Sequence, residues 1–212
     1  MNKQVLAKKL IKCARNLHKR QFVISSSGNI SGRLGKDTIL INAGGVRLEK
    51  LKQSDFVRVD ISTAKTDKKR CASSELFTHL ACYRKRDDIN CVIHVHPVFS
   101  HIIGLTKKSL PLVSVDAACL FSGGVPVIKY FTPGSKALCG GVGRAIKKHD
   151  GIILSYHGAI VVGKSVEEAF DRAVVLEDAA KAYVLGGLEQ RIKGLGKSEI
   201  RSLLEVYLDT RS

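Results

Sequence analysis

Cys91-Val-Ile-His-Val-His-Pro97 is apolar from Cys91 to Val95 except at His94, and it stops at a proline. That pattern predicts a buried strand ending at Pro97. Successive side chains on a strand leave opposite faces, so His94 and His96 share one face. Two imidazoles on one face can converge on a single metal ion, at about 2.0–2.1 Å each. His157 follows a second apolar run, Gly151-Ile-Ile-Leu-Ser155, which also reads as a strand. Three histidines at strand ends, with no obvious fourth protein ligand, suit an open catalytic site better than a closed structural one. The plain alternative for an H-x-H pair is two hydrogen-bonded core histidines.

Outward from this strand, helices alternate with short strands. Residues 3–20 carry Val5, Leu6, Leu10, Ile11, Ala14 and Leu17 near helical spacing. Strands are expected over 28–33, 38–42 and 56–61, with Asn42-Ala-Gly-Gly45 as a loop that must turn tightly or approach something closely. Ser73-Ser74-Glu75 opens a helix to about residue 86. Beyond Pro97 the pattern predicts a helix over 98–105, irregular chain to about 124 and a strand over 125–130. A helix follows from Thr132-Pro-Gly-Ser135 to about 148, and another starts at Ser165-Val-Glu-Glu168 and runs to about 185. A last helix covers 198–208. The expectation is one α/β layered domain over residues 1–212, with no internal repeat or linker.

Composition narrows the function classes. Hydrophobic residues make up 44% and charged ones 25%, ordinary for a globular chain. No apolar run approaches the roughly 18 residues of a membrane span. Met1-Asn-Lys-Gln-Val-Leu-Ala-Lys-Lys-Leu10 alternates charged and apolar residues and does not read as a signal peptide. Cysteines 13, 71, 82, 91, 119 and 139 show no C-x-x-C spacing, so they read as small core residues in a reducing cytoplasm. Net charge is +16, with basic clusters at Lys65–Arg70, Arg84-Lys-Arg86 and Lys147-Lys148. Nucleic acid is a disfavoured partner, because there is no Trp and no aromatic-interleaved basic stretch. Solvated helix faces, then a field that favours a small anionic substrate, account better for the charge.

Four segments occur in order: Ser27-Gly-Asn-Ile-Ser-Gly-Arg33, Ala72-Ser-Ser-Glu75, His94-Val-His96-Pro97 and Tyr156-His-Gly-Ala-Ile-Val-Val-Gly163. Together they resemble the class II aldolase/adducin family, most closely its zinc aldolases of the fuculose-phosphate type. The resemblance runs from the N-terminal helix through Leu185. It implies a single-domain three-layer fold, with a central, mainly antiparallel sheet flanked by helices. It also implies a fourfold symmetric homotetramer with active sites between neighbouring subunits.

For the site, the resemblance implies Zn2+ on His94, His96 and His157, although imidazole accepts other divalent metals. The ion would polarise a ketose carbonyl and stabilise the enediolate beside it. Glu75 is the implied acid/base; alone, it would read as a helix-start carboxylate facing the dipole. Ser73 and Ser74 combine hydroxyls with N–H groups at a helix start, which is an anion cradle. Gly28 and Asn29 match a substrate-facing loop, and Gly44 with Gly45 a phosphate-facing one. Many relatives carry Thr or Ser at Gly44, and Arg47 could compensate by pairing with phosphate. Ser31 and Arg33 are expected to serve local structure. His79 reads as a satisfied core histidine, and His18, His101 and His149 lack ligand spacing.

A tyrosine that acts across the subunit interface in some relatives is not evident near Asp116. Tyr207, in the last helix, is the candidate donor to the aldehyde oxygen; the alternative is a packing tyrosine.

The implied reaction is reversible cleavage of a phosphorylated ketose, L-fuculose 1-phosphate-like, to dihydroxyacetone phosphate and a small aldehyde. Dehydration of a methylthioribulose-1-phosphate-like ketose is the alternative. A sugar-phosphate 4-epimerase follows, disfavoured because Glu75 stands where those enzymes tend to carry Asp. A non-catalytic adducin-like scaffold is the reading from a different class.

Overall fold

In the computed structural model, which describes residues 2–67, 71–187 and 194–209, strand parity sorts the apolar residues into two cores. The strands are β1 (Asn29–Arg33), β2 (Thr38–Asn42), β3 (Phe56–Asp60) and β4 (Cys91–Val95). They continue with β5 (Ser109–Leu110), β6 (Val125–Ile128), β7 (Gly151–Leu154) and β8 (Gly158–Gly163). Among the described residues they form one sheet in the order β3-β2-β1-β4-β8-β7-β6-β5. Only the β6–β7 pairing is parallel, so the sheet is mainly antiparallel, as the family resemblance implies.

On one face lie helices α1 (Lys3–Lys19), α3 (Val98–Thr106), α4 (Val115–Leu120) and α6 (Val166–Gly186). Their core takes Cys91, Ile93 and Val95 of β4 and Ala159 and Val161 of β8. On the other face lie α2 (Leu76–Tyr83) and α5 (Lys136–Ile146). Their core takes the alternate residues: Val92 of β4, with Ile160 and Val162 of β8. The result is three layers, helices–sheet–helices. His94 has the parity of Val92 and therefore projects toward the α2 side, at the end of β4. Both faces of β4 and β8 are covered, which is why these strands read as nearly continuous apolar runs. A last helix, α7 (Lys197–Asp209), follows.

The structure corrects several boundaries. The segment expected to be irregular before residue 124 contains β5 and α4, the latter capped by Ser114, whose hydroxyl oxygen accepts from Ala117 N at 3.2 Å. The apolar stretch after His157, quoted only as a motif, is the fully buried strand β8. Helix α2 starts at Leu76 rather than Ser73, and the two serines sit in the loop ahead of it. Cys13, Cys82 and Cys91 are buried as expected, but Cys71 is exposed and Cys119 and Cys139 are half-buried. No helix among the described residues is long and apolar enough to cross a membrane.

Candidate metal centre and active site

The β1–β4–β8 pairings assemble the site. Asn29 stands opposite His94, and Val95 opposite Ala159. His94 is 1% exposed, and its Nδ1 lies 3.0 Å from the carbonyl oxygen of Ala159. A carbonyl only accepts, so Nδ1 carries the proton and Nε2 keeps its lone pair. That lone pair meets Nε2 of His96 at 2.8 Å. Tyr156, at φ 59°, turns the chain between β7 and β8 and brings in His157. The three ring centroids lie 4.6, 4.8 and 5.3 Å apart. One nitrogen from each ring fits within a span of 4.8 Å. Gly158 makes this closeness possible: a Cβ there would lie 2.7 Å from His96 Cδ2.

The protonation state suits a metal. Burial, then the positive neighbours His96 and His157 would become, push the imidazolium form of His94 well below its usual range. Burial first, then His157 and His101, push His96 down to about 4. His157 is lowered too, chiefly by burial, with Glu75 opposing. Each ring is therefore neutral near pH 7, which is the form that ligates. Nδ1 of His157 is buried with no hydrogen-bond partner among the described residues. Convergent ring nitrogens of three neutral imidazoles, an orphaned nitrogen on His157 and a backbone carbonyl fixing the tautomer of His94 all fit a divalent ion with imidazole ligands.

A cavity of about 200 Å3 opens on the three histidines. The structure brings Gly28, Asn29, Gly44, Gly45, Ser73, Ser74 and Glu75 into its wall. Gly28 needs its freedom, at φ 80° with room for no Cβ beside Val23 Cγ1, 2.5 Å away. Glu75 is 5% exposed, and its Oε2 accepts a hydrogen bond from the Thr78 hydroxyl at 2.7 Å. The cradle of Ser73 and Ser74 differs from expectation. Ser73 N–H bonds to Asn42 O at 3.1 Å, and Glu75 N–H takes Ser73 Oγ at 3.3 Å. Among the described residues the Ser74 N–H makes no such bond, so it is the one left to offer.

His79 is buried, as expected, but it also organises the wall. Its Nε2 lies 2.6 Å from Asn29 Oδ1 and its Nδ1 lies 2.7 Å from Ser31 Oγ. The amide oxygen only accepts, so Nε2–H donates to it and Nδ1 accepts from the serine. Ser31 Oγ in turn lies 2.9 Å from the Tyr83 hydroxyl. This chain commits the Asn29 oxygen to His79 and leaves its amide N–H groups without a hydrogen-bond partner among the described residues. Arg33 spends its guanidinium on carbonyls of Ile89, Lys36, Tyr83 and Arg86, the local role expected.

Other candidates stand apart. Arg47 pairs with Glu49 outside the cavity wall. Asp116 is an exposed first-turn residue of α4. Tyr207 falls in α7, but its side chain lies outside the described residues. Ser26, Ser27, Asn42 and Pro133 also line the cavity, although the sequence reading named none of them as a site residue. Repeated serines just before Gly28 were a usable signal; Pro133 carried none.

The model for the class II aldolase and adducin N-terminal domain matches residues 8–184. A 5-methylthioribulose-1-phosphate/5-deoxyribulose-1-phosphate aldolase of Escherichia coli is 30% identical over 208 residues, 98% of this chain and 97% of its own. An L-fuculose phosphate aldolase of Methanocaldococcus jannaschii is 32% identical over 184 residues, 87% of this chain and 98% of its own. A solved L-fuculose 1-phosphate aldolase superposes with a TM-score of 0.89 at 26% identity, covering 96% of each chain.

Proposed function

The chain belongs to the class II aldolase and adducin family, and on that premise we propose that it is a zinc aldolase acting on a ketose 1-phosphate such as L-fuculose 1-phosphate. Cleavage yields dihydroxyacetone phosphate and a small aldehyde. The observation that carries this reading is one cavity wall holding three neutral histidines, a carboxylate and a glycine–serine rim. His94, His96 and His157 would hold the ion. Bound there, the ion supplies Lewis acidity, polarising the ketose carbonyl and acidifying the adjacent C–H.

The chain's own groups do the rest. Asn29 and Ser74 offer N–H donors, and Ser73 and Ser74 hydroxyls, to the phosphate; Gly28, Gly44 and Gly45 let backbone approach it. In cleavage the C3–C4 bond breaks, its electron pair stays with C3, and Glu75 delivers a proton to that carbon. In synthesis Glu75 removes the same proton. The C4 hydroxyl loses its proton as the aldehyde forms, and we assign the exchange of that proton to Tyr207, supplied by a neighbouring subunit of a homotetramer. We further take residues 1–212 as one domain working in the cytoplasm, where its unbridged cysteines stay reduced.

Dehydration of methylthioribulose 1-phosphate ranks second, because the relative named for that sugar is itself an aldolase. Convergence of the histidines and Glu75 on one cavity argues against a pure scaffold.

The test is proton exchange. Zinc-loaded protein with dihydroxyacetone phosphate in D2O should lose one hydroxymethylene proton stereospecifically, as read by NMR. A chelator, or Glu75→Gln, should abolish the loss. A folded, zinc-bound protein that exchanges no proton would exclude the aldolase; triose phosphate released from a ketose panel separates cleavage from dehydration.

A further inference from the structure

Resting on the assignment of Glu75 as proton carrier, we propose that Thr78 is the positioning residue that aims the Glu75 carboxylate at substrate. Thr78 is 1% exposed, and its hydroxyl donates to Oε2 of Glu75 at 2.7 Å. A threonine inside a helix more often turns its hydroxyl back onto a carbonyl three or four residues earlier. Here the hydroxyl goes instead to the side chain three residues earlier. The same hydroxyl lies 3.9 Å from Cys139 Sγ, a weak competitor.

The bond is not needed to close the helix start. Thr78 N–H and His79 N–H already bond to the Glu75 carbonyl at 3.0 and 3.1 Å, and Leu76 N–H bonds to the Ser73 carbonyl at 2.9 Å. What the hydroxyl adds is a fixed carboxylate. Glutamate has three rotatable side-chain bonds, while a β-branched threonine is stiff at χ1. Glu75 lines the cavity that also holds the histidines, and pinning Oε2 to a stiff partner leaves Oε1, which accepts no hydrogen bond among the described residues, as the oxygen available for proton transfer. A proton-transfer group works only within hydrogen-bond reach of its carbon-bound proton, so orientation converts directly into rate.

The experiment compares wild type, Thr78→Val and Thr78→Ser in the dihydroxyacetone phosphate exchange assay, with zinc content and melting temperature measured on each protein. Valine keeps the shape and removes the donor. Expected is a fall in kcat of about tenfold or more for Thr78→Val, with KM within about twofold, full zinc and an unchanged melt. Thr78→Ser should recover most of the rate. Wild-type kcat in Thr78→Val would overturn the inference, as would a loss that tracks zinc content or melting, or one that serine fails to rescue. If Thr78→Val does not fold, Thr78→Ala is read by the same criteria. Exchange absent in wild type would overturn the aldolase reading and this inference with it, whereas an active wild type and unaffected variants overturn this inference alone.

Discussion

Gly158 shows how one missing side chain serves chemistry. A Cβ at this position would sit 2.4 Å from Val95 O and 2.7 Å from His96 Cδ2, so the backbone and the His96 ring would both have to move. Gly158→Ala should therefore weaken zinc binding at least tenfold and destabilise the protein by about 1–3 kcal/mol. Competitive zinc titration and urea denaturation read the two effects, and wild-type values would show that the strands can spread at no cost. His79 predicts a pH response. Burial lowers it to about 3 from an unfolded value near 6.5, so the unfolded chain binds the extra proton. The stability it contributes is present above about pH 6.5 and is lost as pH falls toward 3, at up to about 1.4 kcal/mol per pH unit. His79→Gln cannot titrate, so its urea midpoint should fall less steeply than wild type between pH 7 and pH 4; parallel curves would refute the assignment. The histidine pair was legible because parity on a strand is a two-residue rule. Thr78 was not, since a threonine at a helix start looks the same whether its hydroxyl faces a carbonyl or a neighbouring carboxylate.

Packed elements show the same division between patterned and unpatterned signals. Helix α6 grips the first turn of α3 through Glu177, whose carboxylate accepts from Phe99 N, Ser100 N and Ser100 Oγ at 2.8, 2.8 and 2.6 Å. This holds the segment immediately after His96 in place from the layer behind the sheet. Burial raises the Glu177 carboxyl, with the three donors partly offsetting it, which marks a group kept for its hydrogen bonds rather than for its charge. Glu177→Ala leaves those donors buried and unpaired, a cost of about 3 kcal/mol, checked by equilibrium unfolding in urea; a change below 1 kcal/mol would mean that water replaces the carboxylate. Such a contact spans 78 residues between Phe99 and Glu177 and has no sequence signature. The long amphipathic helices and the short apolar strands were legible, including Thr38–Asn42 to the residue. Helix α4 has six residues, too few for helical periodicity to register. The start of α2 was misplaced because a hydroxyl-rich run does not fix which of Ser73, Ser74 and Glu75 caps the helix, and Glu75 stands at the cap.

In the molecule as a whole, the site ties together β4 and the turn between β7 and β8, at the centre of the sheet. The unfolded chain has no comparable site, since His94 and His157 are then separated by a long flexible loop. An ion that binds the folded form alone stabilises it by mass action, about 2.7 kcal/mol at a hundredfold excess over its dissociation constant. For a chain of 212 residues, each kcal/mol moves the melting temperature by about 2–4 °C. Zinc at that excess should therefore raise the calorimetric midpoint by about 5–11 °C over chelated protein. His94→Ala should abolish the rise, because the remaining imidazoles cannot enclose the ion. The rise should persist from pH 8 to about pH 6, because burial holds His96 at about 4 and protons compete little with the metal in that range. Equal midpoints with zinc and with chelator would mean that the three histidines pack as a neutral core cluster, and the case for metal-assisted cleavage would fall with them.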